Sequence, residues 1–214
     1  MNEITKKKFM PIWLKIGLLL VGIILIIVGL LKIFGGSGTS NAFVNKFNEL
    51  QAPGVEIKNN FTNVSGLLNG IGPKEANKDY AAIISDLQTA LVKLNDTIAK
   101  ITSMSATLTE FQNMVNNSSD KNVKTTGISF IEVVNSRNTA VLKMASDTKD
   151  LINQALTYYN EMLHNQKVTL DINEYNTTAN TIVTDGQNMT NISAQYDAAA
   201  NDFAKAAGFT IDKK

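Results

Sequence analysis

Sixteen consecutive residues without a charge, Ile16 to Leu31 (IGLLLVGIILIIVGLL), lie between Lys15 and Lys32, and the polar chain that follows has nothing like them. Counted from Trp13 to Phe34 the stretch is 22 residues. As a helix rising about 1.5 Å per residue it measures roughly 33 Å, which matches a hydrocarbon core of about 30 Å. The sequence therefore predicts one transmembrane helix over 13–34, preceded by a short tail over 1–12. Lys6, Lys7 and Lys8 come before it, whereas the first cation beyond Lys32 is Lys46. By the positive-inside rule the N-terminus is expected in the cytoplasm and the remainder outside a cell membrane, as a single-pass topology. Lys15 and Lys32 are placed to snorkel to the headgroups, with Trp13 and Phe34 as anchors at the two ends. A cleaved signal peptide would share the basic start and apolar middle. The run is longer than the usual ~7–15 apolar residues of such a peptide, and no Ala-x-Ala-like site follows, so an uncleaved signal anchor is the expectation.

Charge and cysteine content narrow the rest. The chain carries +1 overall, but residues 1–35 hold five Lys against Glu3, leaving the remainder at −3. Such a balance offers no basic footprint for nucleic acid. The absence of Cys excludes a lipidated cysteine anchor and any disulfide staple. Arg137 is the only Arg, and Asn occurs 25 times.

Hydrophobic spacing then organises the chain. Gly35-Gly36-Ser37-Gly38-Thr39-Ser40 reads as a flexible joint over 35–40. Phe43, Phe47 and Leu50, then Ile57, Phe61, Val64, Leu68 and Ile71 keep helical spacing on either side of Pro53-Gly54, which predicts a broken arm over 41–70. A long helix is predicted over 73–117, opened by Pro73, with a seam at Tyr80, Ile84, Leu87, Leu91, Leu94, Ile98 and Ile101. Met104 and Phe111 widen that stripe where Ser105 and Gln112 interrupt it. A second helix, 121–165, carries Phe130, Val134, Val141, Met144, Leu151, Ala155, Tyr158 and Met162, doubled by Ile131, Ala145, Ile152 and Tyr159. A third, 171–207, opens on Asp171 with Glu174 in capping-box spacing and closes at Gly208. Its seam runs Ile172, Tyr175, Ala179, Ile182, Gly186, Met189, Ser193, Tyr196, Ala200, Phe203 and Ala207. Turns this short force neighbouring helices to run antiparallel. The expected fold is all-α: an N-terminal transmembrane helix, then an elongated antiparallel three- or four-helix bundle over 41–208 with a tail at 209–214. That architecture resembles that of LemA-type membrane proteins and of several bacterial surface and sensor ectodomains; no motif is shared with them, and the arginine-rich stretch expected after the first helix of a LemA-type protein is missing here.

Little in the sequence points to chemistry. Glu161-Met162-Leu163-His164 matches half of a di-iron bundle motif, but His164 is the only His, and its place in a last helical turn suits capping. No Cys, no Gly-x-Ser-x-Gly elbow and no phosphate-binding Gly loop is present. Tyr158, Tyr159, Tyr175 and Tyr196 read first as core fillers and second as a ligand pocket. Eight Asn-x-Ser/Thr patterns begin at Asn60, Asn63, Asn95, Asn116, Asn117, Asn176, Asn188 and Asn191, mostly inside predicted helices. The expectation is a non-enzymatic surface or scaffold protein without cofactor or metal. Its expected partners are the lipid bilayer and an unidentified protein, with self-association as one option, and no nucleic acid. A ligand-sensing ectodomain signalling through a partner subunit is the alternative, and a filament or envelope-complex subunit the second.

Overall fold

The computed structural model describes residues 34–37 and 42–213, together with Ile24. Its elements in chain order are strand β1 (Phe34–Ser37), helices α1 (Ala42–Asn69), α2 (Ile71–Ala76), α3 (Tyr80–Asn116), α4 (Lys121–Leu163) and α5 (Ile172–Ala207), and strand β2 (Thr210–Lys213). Four long helices pack in an up-down-up-down bundle, each against its neighbour in sequence, with α2 capping the far end. The Lys46–Glu110 (2.7 Å) and Glu56–Lys100 (2.6 Å) ion pairs mark the antiparallel register of α1 on α3. The Lys143–Asp185 pair (2.5 Å) does the same for α4 on α5. Exposed pairs of this kind contribute little energy, so the bundle rests on its apolar seams.

Those seams divide into two cores. One end, here the base, gathers six of the nine Phe: Phe43, Phe47, Phe111, Phe130, Phe203 and Phe209. Phe47 and Phe130 stack with centroids 5.4 Å apart, and Phe130 and Phe203 at 5.8 Å. The other end, the apex, is aliphatic with tyrosines, from Ile57 and Phe61 through Leu87 and Leu94 to Tyr159 and Tyr175. At the base Gly208 ends α5 in the left-handed region (φ 76°), which turns Phe209 back against Phe47 and Phe203. β2 then pairs antiparallel with β1, Phe34 opposite Lys213 and Ser37 opposite Thr210.

Several expectations are corrected. The flexible joint over 35–40 begins inside a strand, and the tail over 209–214 begins with a buried Phe209 and continues as β2. Glycine and serine carry no strand signal of their own, but their backbone groups pair as well as any. Phe34 lies in β1 and not in a helix. The arm is unbroken: α1 runs through Pro53, because Leu50, Gly54 and Ile57 bury on one stripe across the proline and outweigh the missing backbone bond. The long helix does not begin at Pro73. That residue lies in α2, which ends at Ala76 with Asn77 as its C-cap, and α3 starts only after Lys78 (φ 58°), with the Asp79 carboxylate accepting from the Ala82 N–H at 3.2 Å. The seam of α3 is also rotated: Ile84, Leu91 and Ile98 are half-buried, and Ile83, Ala90 and Thr97 are buried in their place beside Leu87, Leu94 and Ile101. In α4 and α5, Val141, Ile152, Ile182, Gly186, Met189 and Phe203 are buried. Among the described residues no helix is long and apolar enough to cross a membrane. The span expected over 13–34, with Trp13, Lys15 and Lys32, lies outside the described residues apart from Ile24 and Phe34, as do Lys6, Lys7 and Lys8.

Close approach of α3 and α4 at the base depends on Gly127. A Cβ there would meet both Val115 methyls at 2.7 Å and the Phe203 ring at 3.2 Å. Gly127→Ala is expected to lower stability by about 1–3 kcal/mol, and Gly186→Leu, which overfills a buried position of α5, by a similar amount. Urea denaturation followed by circular dichroism measures both; unchanged midpoints would refute the close packing at these glycines.

Candidate functional site

The Glu-x-x-His match resolves into a structural clamp. Glu161 is buried in the last turn of α4, and its carboxylate accepts from the Thr169 backbone N–H at 2.9 Å and from the Thr169 hydroxyl. The Gln166 N–H donates to the Glu161 carbonyl at 2.8 Å. Together these bonds fold the loop over 164–171 back onto the helix end, before Asp171 caps α5 through the Asn173 and Glu174 N–H groups. His164 is the C-cap of α4, exposed, with Nδ1 2.8 Å from the Asn160 carbonyl oxygen. Both carboxylate oxygens of Glu161 are therefore engaged in holding the loop. No group of three or more His, Cys, Asp or Glu able to hold a metal occurs among the described residues.

The four tyrosines do not share a site. Tyr158 and Tyr159 stand at the apex with ring centroids 5.0 Å apart, and Tyr80 lies 6.2 Å from Tyr159. Tyr175 is buried in the same core. Burial raises the pKa of Tyr158, Tyr159 and Tyr175, and the nearby Glu75 carboxylate on α2 raises each further. Glu75 is the member that sequence reading missed, and Tyr80, named there only as the start of a seam, joins Tyr159 in space; both sit around the α2–α3 junction, whose path a helix drawn straight from Pro73 would have hidden. Rings this close fill the space between the helices and leave the cluster a packed core.

Tyr196 belongs to the other core, near its boundary. Its hydroxyl accepts a hydrogen bond from Gln51 Nε2, and the Arg137 guanidinium carbon lies 4.5 Å from its ring centroid. Gln51, Arg137 and Ser193 are all buried. Burial pushes the Tyr196 hydroxyl pKa up, and the Arg137 charge and the Gln51 bond pull against it. A lone arginine on an amphipathic helix reads as a solvated residue, and only the fold reveals it as an interior cation over an aromatic face. The hydroxyl of Thr148, wholly buried on α4, has no hydrogen-bond partner in the structure.

Surface relief is shallow. An open groove of about 310 Å³ between α1 and α3 is lined by Glu56, Asn60, Lys93, Asp96 and Lys100. Another of about 490 Å³ lies at the base between α4 and α5. Of the eight Asn-x-Ser/Thr patterns, those at Asn116 and Asn117 run into the α3–α4 turn, and the other six lie within helices. In four of those six the hydroxyl of the pattern's third residue, Thr62, Thr97, Thr178 or Thr190, donates back to the carbonyl four residues earlier. No protein-family model, curated protein or solved structure matches this chain.

Two outcomes follow from these interior groups. The two bonds from Thr169 hold the Glu161 carboxyl below its ordinary value of 4.5, the side-chain bond contributing more than the backbone one. A carboxylate whose folded pKa is depressed stabilises the fold above its unfolded pKa and loses that contribution as pH falls through the folded value. The Thr169 amide shift, followed by NMR, is therefore expected to titrate with a midpoint below 4.5, and Glu161→Gln to abolish the titration. A flat wild-type profile would rule out the clamp. Thr148→Val replaces a desolvated, unpartnered hydroxyl with a methyl of the same shape, and is expected to raise stability by about 1 kcal/mol in urea denaturation; a loss of stability would mean that the hydroxyl has a partner.

Proposed function

We propose that this chain is a non-enzymatic, membrane-anchored surface or scaffold protein that acts through protein–protein contacts of its helical bundle. The observation that carries this reading is the β1–β2 pairing. It ties both ends of the bundle's chain together at the base, three residues after the apolar run closes at Leu31. An anchor over 13–33, ending before Phe34 enters β1, would thus hold the bundle by its base and leave the apex, with α2 and the clamped loop over 164–171, farthest from the bilayer. A bundle on this plan suits presentation of a rigid end to a partner: its interior is filled, its grooves are shallow, and the apex loop is fastened by Glu161. The basic residues before the apolar run support an extracytoplasmic bundle at a cell membrane.

The test is fractionation of cells making the full chain, followed by protease treatment of intact cells and lysine-reactive crosslinking in native membranes. The full chain is expected to float with membranes and a variant lacking 13–33 to remain soluble. External protease is expected to cleave within 42–213, and crosslinking to give a discrete species containing a second protein or a second copy. Soluble full-length chain would overturn the anchor, protection from external protease the orientation, and monomer alone at every crosslinker dose the contact role.

A further inference from the structure

We propose that the base of the bundle is a phospholipid-binding surface, with the groove between the start of α4 and the end of α5 taking lipid headgroups. This rests on the reading of the apolar run before β1 as a membrane span and deepens it. Leu31 and Phe34 are three residues apart, so their Cα atoms are separated by at most about 11 Å. Phe34 is already in register with Lys213, and β2 begins two residues after the Gly208 cap of α5. The headgroup layer on one side of a bilayer is about 5–8 Å deep. With so short a tether, the base stands no more than a few ångströms clear of that layer, and its surface chemistry meets phosphates.

That surface has groups to meet them. The base groove, about 490 Å³, is lined from α4 by Lys121, Asn122 and Thr125 and from α5 by Asp202 and Lys205. Asp120, at its edge, is committed: its carboxylate accepts from the Asn122 N–H at 2.7 Å and the Val123 N–H at 3.2 Å. Lys121 and Lys205 are exposed, and neither is in an ion pair among the described residues, unlike Lys46, Lys74, Lys100 and Lys143. Lys124, also exposed, follows one turn along α4. Two long cations on facing helix ends, with amide and hydroxyl groups between them, suit a phosphodiester, and Asp202 suits the amine of a zwitterionic headgroup. A bundle held at both its tether and this groove would not swivel on its anchor.

The chain has no Cys, so single cysteines can carry spin labels without background. Ser119→Cys, in the α3–α4 turn, reports on the base, and Lys167→Cys reports on the apex loop. Full-length protein is reconstituted in phosphatidylcholine–phosphatidylglycerol liposomes doped with a nickel-chelating lipid, whose headgroup relaxes nearby labels. Relaxation enhancement at the base label is expected to be several-fold that at the apex label. A Lys121→Gln/Lys205→Gln variant, shown folded by circular dichroism, is expected to lose at least half of it, and free inorganic phosphate is expected to leave it unchanged. Equal relaxation at base and apex, the same base relaxation in the double variant, or loss of contact on adding inorganic phosphate would overturn the headgroup site. Failure of the full chain to float with the liposomes would overturn the membrane reading itself, which a negative relaxation result in floating protein would leave standing.

Discussion

The structure depends on the aromatic core at the base. Phe47, Phe111, Phe130 and Phe203 come from four different helices, and Phe209 closes the set from beyond the α5 cap. Each ring buries a large apolar area, and the edge-to-face and stacked pairs fix the rotation of one helix relative to the next. The consequence reaches past the helices. Once Phe209 is docked, Thr210–Lys213 emerge where Phe34–Ser37 can pair with them. An isolated two-stranded ribbon is marginal in water, so β1 and β2 exist because this core positions them.

Polar interior groups give the bundle its specificity. Between the aromatic base and the aliphatic apex, Gln51, Arg137 and Tyr196 sit buried on three helices, and a slip of any of those helices by one turn would strand a charge or an amide in an apolar layer. A buried arginine costs desolvation that its contact with one aromatic face offsets only in part. The gain is register. An antiparallel bundle with evenly spaced apolar seams could pack in several offsets, and a polar layer admits one. Glu161 acts in the same way at the apex, where it selects one path for the loop over 164–171.

How far the sequence reveals this fold depends on what carries the signal. The buried stripe of α5 from Tyr175 to Phe203 follows directly from a spacing of three and four residues, as do its Asp171 cap and Gly208 stop. In α3 the same counting lands one residue off, at Ile84, Leu91 and Ile98, because the centre of its stripe contains Ala90 and Thr97, which are small or polar and weigh little in any hydrophobic count. Thr97 is tolerated there because its hydroxyl bonds the Lys93 carbonyl at 3.0 Å. Gly127 is invisible for a related reason: what matters is the absent Cβ, and only the Val115 and Phe203 atoms around it say so. Pro53 misleads in the opposite direction, since a local breaker is overridden by burial on both sides. The candidate sites were less legible still. Tyr158, Tyr159 and Tyr175 could be named from the seams, but their separation from Tyr196, their neighbour Glu75 and the partner of Glu161 are long-range facts.

The ribbon changes what the chain's two-part composition implies. With 35–40 as six flexible residues, the bundle would be a tethered body free to tumble above a membrane, its r.m.s. reach about 5–6 Å times the square root of the linker length. With 34–37 in a sheet, the length between the apolar run and the folded domain shrinks to Lys32 and Ile33. Two residues cannot average out orientation, so a membrane span ending at Leu31, as proposed, and the bundle would behave as coupled bodies. A lateral pull on the apex would then load the β1–β2 hydrogen bonds and the Phe209 contacts first, because they are the links nearest the anchor. The base core is thus both the centre of the packing and, if the chain is anchored as proposed, the joint through which force on the bundle would reach a bilayer.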